Sequence, residues 1–110
     1  MSKRTQLLKG ILEGCLLAII QKEPTYGYEI AMKLKNYGLE DISEGSIYPL
    51  LLRLQKEKHV IGKMQKSPNG PDRKYYYLTE EGRIALEDFK KQWKAIQLPI
   101  NRILEEEDDQ

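Results

Sequence analysis

The chain offers few of the side chains that enzymes use for nucleophilic or metal-assisted chemistry. Its 110 residues include one histidine, His59, and one cysteine, Cys15. Catalytic zinc sites and nucleophile–base pairs usually need two or more such groups. Cys15 lies in the apolar run ILEGCLLAII, where a buried, unreactive thiol is expected. We therefore predict that the protein is not an enzyme and uses no metal ion or cofactor.

Another set of side chains is suited to binding phosphates or base edges. In SEGSIYPLLLRLQKE, residues 43–57, apolar residues recur at i, i+3, i+4 and i+7, which predicts an amphipathic helix. Ser43, Ser46 and Tyr48 gather at its amino end, which attracts anions. Pro49 lies close to this end, where we expect its missing N–H to cost little. The alternative is that Ser43 and Ser46 only cap the helix.

A basic hairpin follows this helix. VIGKMQK, SPNGPD and RKYYYLT predict a strand, a six-residue turn and a second strand. A lone hairpin is marginally stable, so it must pack on the helices while its polar tip projects. Lys63, Lys66, Arg73 and Lys74 flank the tip, opposed only by Asp72. These charges can neutralise phosphates, although solvated surface charges would look the same. Alternate members of the tyrosine run are expected in the core.

Two helices are predicted before this unit. The first runs from Thr5 to about Gln21 and has apolar residues on two faces, so it should contact two surfaces. One face carries Leu8, Leu12, Cys15, Leu16 and Ile19, and the other carries Leu7, Ile11 and Ala18. The second helix, YGYEIAMKLKNYG, is expected to start from Thr25 as N-cap and to end at Gly38, with Leu39 folding back as a hydrophobic clasp. The third helix should then run from Ser43 to about Lys58.

The last helix is predicted to be long and to carry a narrow apolar seam. Thr79 is its expected N-cap. Its apolar residues are spaced 3, 4, 3, 4, 3 and are Leu86, Phe89, Trp93, Ile96, Ile100 and Ile103. Since the domain leaves nothing of its own for this seam to contact, we expect a partner helix from a second copy. Pro99 predicts a kink near residues 95–98 within one bent helix.

Composition places these elements in one domain with an attached helix. The chain is 40% hydrophobic and 32% charged, with a formal net charge of +1. Residues 1–104 carry 18 basic and 12 acidic side chains, whereas residues 105–110 form an acidic tail that we expect to be frayed. We predict a DNA-binding domain over 1–78 and a dimerisation helix over 79–104. The sequence shows neither a membrane-spanning run nor a signal-peptide pattern, which predicts a cytoplasmic protein.

Three helices, a basic hairpin and a long helix constitute a mainly α (α+β) winged helix-turn-helix with a two-stranded wing. YGYEI, SEGSIYPLLLRLQKE and RKYYYLTEEG resemble the PadR-like transcriptional regulators, specifically the short subfamily with a single C-terminal helix. The resemblance covers roughly residues 7–104. It implies a homodimeric repressor whose third helix enters the major groove of operator DNA, whose wing reaches the adjacent backbone or minor groove, and whose first and last helices form the dimer.

The pattern and the resemblance together assign residues to two surfaces. The DNA-binding residues are Thr25, Tyr26, Ser43, Ser46, Tyr48, Arg53, Lys66, Asn69, Arg73 and Lys74. The dimer interface is formed by Leu7, Ile11, Ala18, Leu86, Phe89, Trp93, Ile96, Ile100 and Ile103. The main alternative is a winged-helix protein-interaction module that does not bind DNA, which the small net charge favours.

The resemblance also implies an effector site. Some family members bind planar aromatic or lipophilic compounds at the dimer interface, where a tryptophan of the last helix stacks on the ligand. Trp93 has the matching place, eleven residues after the glycine of LTEEG, and Gly14 and Gln97 complete the hypothesis. The alternative is that Trp93 only fills the dimer core. Relatives often carry a glycine and an aliphatic residue where this chain has Lys58 and His59, so Lys58 is expected to adopt a costly backbone conformation.

Overall fold

The computed structural model describes residues 7–68 and 70–106. Its elements in chain order are α1 (Leu12–Lys22), α2 (Gly27–Asn36), α3 (Glu44–Lys56), β1 (Val60–Ser67), β2 (Gly70–Leu78) and α4 (Glu80–Glu105). Helices α2 and α3 form the helix-turn-helix, and the β1–β2 hairpin is the wing. The predicted winged helix-turn-helix with a long C-terminal helix is confirmed. No helix in these ranges is long and apolar enough to cross a membrane.

The prediction that the first helix is continuous is wrong, because a turn interrupts it. Leu7 and Leu8 are helical, but residues 9–11 form a turn and α1 begins at Leu12. Gly10 takes a φ of +95°, which right-handed helices do not allow and which glycine adopts at little cost. The predicted start at Thr5 lies outside the described residues.

One hydrophobic core joins α1, α2, α3, the wing and the start of α4. The main apolar face predicted for α1 is confirmed, because Leu12, Leu16 and Ile19 are buried. The other core residues are Leu17, Ile20, Ile30, Leu34, Ile42, Ile47, Leu51, Leu54, Val60, Tyr76 and Leu86. Tyr76 is the buried member of the tyrosine run, and its two neighbours are half-buried, as expected for a strand with one face on the core.

Helix α2 ends as predicted but begins differently. The N–H of Leu39 donates to Leu34 O at 2.9 Å and that of Gly38 to Lys35 O at 2.9 Å, with φ of +110° at Gly38, so the turn is a Schellman motif. The prediction of Thr25 as N-cap is wrong, because Tyr26 occupies that position. Thr25 instead makes an isolated antiparallel bridge to Tyr76, with N–H···O distances of 3.4 and 2.8 Å.

The wing has a shorter turn than the sequence indicated. β1 and β2 pair antiparallel from Val60 with Leu78 to Ser67 with Gly70, and the register shifts between Gln65 and Ser67. Only residues 68–69 lie between the strands, so the predicted six-residue turn is wrong. Ladder pairing can continue through polar residues until a two-residue connection closes the hairpin, and turn-forming composition alone does not show where it stops.

Helix α4 begins at the predicted cap and outgrows the core. Thr79 Oγ1 accepts a hydrogen bond from the Gly82 N–H at 2.9 Å, which confirms this N-cap. The helix is continuous through Pro99 to Glu105, and the kink near residues 95–98 stays a prediction. Its 26 residues span about 39 Å, so its far half projects from a molecule of 60 × 28 × 20 Å. Residues 107–110 of the predicted acidic tail lie outside the described residues.

The first turns of α4 belong to the chain's own core. Leu86 is 1% exposed, and the ring of Phe89 covers Gly14 of α1 so closely that a Cβ there would lie 2.4 Å from Phe89 Cδ2. Assigning Leu86 to the dimer interface is therefore wrong, since it packs within its own domain. The heptad spacing continues from an intramolecular contact into an exposed stripe, and spacing alone cannot distinguish the two.

Candidate nucleic-acid interface

The amino end of α3 has its serines in capping geometry. Ser43 is the N-cap, and its Oγ accepts a hydrogen bond from the Ser46 N–H at 3.3 Å. The two hydroxyl oxygens are also 3.3 Å apart. Both serines thus support the helix, as the capping alternative predicted. Ser43 remains exposed and Ser46 half-buried, so capping leaves hydroxyl surface at a helix end that favours anions.

Pro49 lies deeper in α3 than expected. With Glu44 as the first helical residue, Pro49 is the sixth, beyond the four positions whose N–H groups lack an intrahelical acceptor. The expectation that its position spares the hydrogen bond is therefore wrong. Pro49 deprives the Gly45 carbonyl of its usual helical donor in the second turn of the helix.

Tyr48 connects the beginnings of α3 and α2. Its hydroxyl donates to Glu44 Oε2 at 2.8 Å, and its ring lies against Gly27, where a Cβ would be 3.0 Å from Tyr48 Cζ. The hydrogen bond to Glu44 and, next, burial raise the pKa of Tyr48. The ring is exposed on its other side. Tyr48 therefore presents a protonated, oriented phenol at the surface.

A stack of aromatic and cationic groups continues this surface onto the wing. The Arg73 guanidinium carbon lies 4.6 Å from the ring centroid of Tyr26, the N-cap of α2. Tyr26 in turn meets Tyr75 edge to face, with centroids 5.1 Å apart. Arg73 Nε is buried and has no hydrogen-bond partner among the residues that the structure describes. The stack places the arginine against α2, and its positive charge opposes the rise in the pKa of Tyr48 that the Glu44 hydrogen bond and burial cause.

The remaining predicted DNA residues occupy varied positions. Arg53 is exposed, with Nε 3.4 Å from Glu13 Oε2, beside a cavity of about 550 Å³ that Lys9 and Ser46 also line. Lys66 is exposed. Lys74 is half-buried, with Nζ 5.8 Å from the Tyr76 ring centroid.

Two of the predicted DNA-binding residues are not found on this surface: one is buried and the other is not among the described residues. Thr25 is fully buried and donates from Oγ1 to Glu29 Oε1 at 2.5 Å, so the prediction that its side chain contacts DNA is wrong. Asn69 lies outside the described residues.

Sequence reasoning missed several residues that shape this surface. Glu44 orients Tyr48, Tyr75 supports Tyr26, and Glu13 pairs with Arg53. The spacing of Glu44 and Tyr48, four residues apart on one helix, was a usable signal for their contact. The other two pairs join distant parts of the chain and left no local signal.

The predicted dimer residues of α4 beyond the core are exposed. Trp93 is 38% exposed, Ile96 45%, Ile100 47% and Ile103 73%. Leu7 is also exposed, and Ile11, Ala18 and Phe89 are half-buried. These residues are available to a second copy.

The effector residues are not all accessible. Gln97 is exposed beside Trp93 on α4. Gly14 is buried beneath the Phe89 ring, so the prediction that it contacts an effector is wrong for this arrangement.

The fold and this surface define a winged helix-turn-helix protein. Comparison with known proteins gives its family: residues 16–88 match the model of the "Transcriptional regulator PadR-like family". The chain belongs to the PadR-like family of transcriptional regulators, which is a family of regulators and not of enzymes.

Two solved structures agree with this assignment, and one further protein is similar in sequence. A PadR-like transcriptional regulator from Bacillus cereus is 51% identical, with a TM-score of 0.82 over 91% of this chain and 97% of that one. A Streptococcus transcriptional regulator is 44% identical, with a TM-score of 0.80 over 89% of this chain and 96% of that one. An uncharacterised Lysinibacillus sphaericus protein is 28% identical over 104 residues, which are 93% of this chain and 95% of that protein.

Proposed function

We propose that this PadR-like regulator is a homodimeric repressor that binds a two-fold symmetric operator. The observation that carries the proposal is a set of contacts: the exposed Tyr48 near the amino end of α3 packs its ring on the buried Gly27, and the neighbouring Tyr26 stacks with Arg73 on the wing. Recognition helices read base edges with their first turns, while arginines and lysines on a wing contact phosphates. Such a regulator acts where the chromosome lies, so a cytoplasmic location is part of the proposal.

The far half of α4 supports the dimer. A projecting helix with a stripe of isoleucines and a tryptophan leaves apolar area in water, and a second copy of the same helix would cover it. A two-fold axis through this contact would present two α3 helices to one face of DNA. Successive major grooves then require half-sites about 10 base pairs apart, centre to centre.

We also propose that a small-molecule effector regulates operator binding. Trp93 and Gln97 lie exposed one turn apart on α4, so a planar aromatic or lipophilic compound could stack on the indole between two protomers. Such a compound would lower operator affinity if it bound more tightly to a dimer whose α3 helices stand at the wrong separation.

Titration onto labelled duplexes from the protein's own promoter region, at several salt concentrations, tests DNA binding. We expect affinity to fall steeply with salt, because binding releases condensed counterions. Arg73→Ala should flatten the slope of log K against log salt by about one unit. Lys91→Ala, which also removes one positive charge but lies exposed on α4, is the matched control and should leave the slope unchanged. Weak binding with no salt dependence would instead favour the protein-interaction module.

A further inference from the structure

Hydrogen bonds join the turn that ends α3 directly to the beginning of α4. The Thr79 N–H donates to His59 O at 3.1 Å, and Thr79 Oγ1 donates to Lys58 O at 2.7 Å. The same Oγ1 accepts from the Gly82 N–H at 2.9 Å. We call these four residues, Lys58, His59, Thr79 and Gly82, the α3–α4 joint. One threonine hydroxyl therefore caps α4 and holds the turn that ends α3.

The α3 side of the joint is rigid. The N–H of His59 donates to Leu54 O at 2.9 Å and that of Lys58 to Gln55 O at 3.0 Å, which locks both residues to the last turn of α3. Lys58 holds a φ of 63° to make this turn. The two carbonyls that Thr79 contacts are thus fixed relative to the axis of α3.

The α4 side of the joint leaves no room for a side chain at residue 82. A Cβ on Gly82 would lie 2.0 Å from His59 O and 2.8 Å from Leu78 Cδ1. Ordinary contacts between a carbon and a carbonyl oxygen are about 3.3 Å or longer, so any side chain here would move the two backbones apart by roughly 1 Å. The surrounding residues Leu54, Val60 and Leu86 are at most 1% exposed, so the joint sits on the well-packed core.

We propose that the α3–α4 joint is the positioning element that sets the angle between the recognition helix and the dimerisation helix. Thr79 and Gly82 then determine which half-site spacing the dimer reads without touching DNA. This second statement rests on the proposed function. The 13 residues of α3 span about 20 Å, so a tilt of about 5° at the joint would move the reading end by nearly 2 Å. A base-pair step is about 3.4 Å, so such a shift is large enough to change spacing preference.

An intrachain distance measurement tests the joint without DNA. Spin labels at Lys56→Cys and Lys94→Cys, in a Cys15→Ala background diluted with unlabelled protein, report the distance between α3 and α4 within one chain. Gly82→Ala and Thr79→Val should shift or broaden this distance by about 1–2 Å, given the contact that each one breaks. Thr79→Ser retains the hydroxyl and should keep the wild-type distance. Gly38→Ala, strained at a φ of +110° in the α2–α3 turn, controls for destabilisation away from the joint.

The result decides the proposal whichever variants fold. An unchanged distance in both Gly82→Ala and Thr79→Val overturns it, and so does an equal shift in Gly38→Ala. If Gly82→Ala does not fold, Thr79→Val, which is close to threonine in shape, decides alone.

A binding measurement tests the consequence for DNA. Duplexes selected from a random pool by the wild-type protein are rebuilt with half-sites one base pair closer or farther apart. We expect the wild type to prefer one spacing by about tenfold, the cost of a typical mismatch in fit. The two joint variants, still dimeric by sedimentation, should lose or move that preference, whereas Thr79→Ser should keep it. Variants with the wild-type spacing profile would overturn the positioning role. Failure of the wild type to select any duplex would overturn the proposed function, while the intrachain distance still decides the joint.

Discussion

Arg73 on the wing and Tyr26 at the start of α2 form a cation–π pair, with the guanidinium carbon 4.6 Å from the ring centroid. The pair joins the two parts of the proposed DNA surface that are far apart in the sequence. Because a stacked arginine loses little conformational freedom on binding, the stack would favour the phosphate contact proposed for Arg73.

Removing the ring should weaken DNA binding without removing a charge. We expect Tyr26→Leu to lower operator affinity by about three- to tenfold, which corresponds to the loss of a partly desolvated cation–π pair. The slope of log K against log salt should stay unchanged, because no charge is removed. Fluorescence anisotropy across a salt series measures both quantities. Tyr26→Phe keeps the ring and should bind nearly as well as wild type. An equal loss in Tyr26→Phe would show that the hydroxyl, and not the stack, matters.

Local signals in the sequence predicted some of the helix ends. Thr79 caps α4 and Gly38 with Leu39 closes α2, both as predicted. Ser43 caps α3, which the sequence analysis gave as the alternative to DNA contact. These features depend on a few neighbouring residues, so residue type at a fixed offset is enough. Lys58, with a φ of 63°, adopts a costly backbone conformation, as expected at a position where relatives often carry glycine.

Features that depend on the rest of the fold escaped prediction. Leu86 fits the heptad seam but is covered by its own domain, and periodicity does not say which chain supplies the cover. Thr25 looked like a cap, yet strand pairing with Tyr76 drew it into the core. The Arg73–Tyr26 stack needs the wing to fold onto α2, which no local pattern reveals. Tertiary contacts overrode local preference in each case.

Helix α1 and helix α4 approach closely only because residue 14 is glycine. A Cβ there would meet the Phe89 ring at 2.4 Å, so Gly14→Ala should lower the free energy of unfolding by about 1–3 kcal/mol through overpacking. Urea denaturation at a fixed protein concentration measures this. Gly70→Ala, whose Cβ would meet nothing within 4 Å, should change stability by less than about 0.5 kcal/mol. Trimming the ring with Phe89→Leu should recover part of the loss in the double variant, and no recovery would contradict the steric explanation.

The turn after α3 stores a small backbone cost at Lys58. A left-handed conformation costs a residue with a Cβ about 1–2 kcal/mol. Glycine avoids this cost, but part of the gain is lost because its unfolded chain has more conformational freedom. With φ at 63°, Lys58→Gly should raise the free energy of unfolding by about 0.5–1 kcal/mol. The matched change Lys56→Gly, at the last residue of α3, should lower it by up to about 1 kcal/mol. Denaturation midpoints that move the same way in both variants would refute this account.

The exposed stripe on α4 should hold the dimer together. Ile100 and Ile103 are 47% and 73% exposed, and burying an isoleucine contributes about 1.5–3 kcal/mol, counted twice across a two-fold axis. Ile100→Glu replaces that gain with two charges brought into an apolar contact, so we expect the dimer dissociation constant to rise by at least about a hundredfold. Sedimentation equilibrium at micromolar concentration measures the change. Lys91→Glu, on the opposite face of the same helix, should leave the dimer intact. A wild-type protein that sediments as a monomer would contradict the proposed dimer, whereas an Ile100→Glu variant that remains dimeric would show that another surface, such as Leu7 with Ile11, forms the contact.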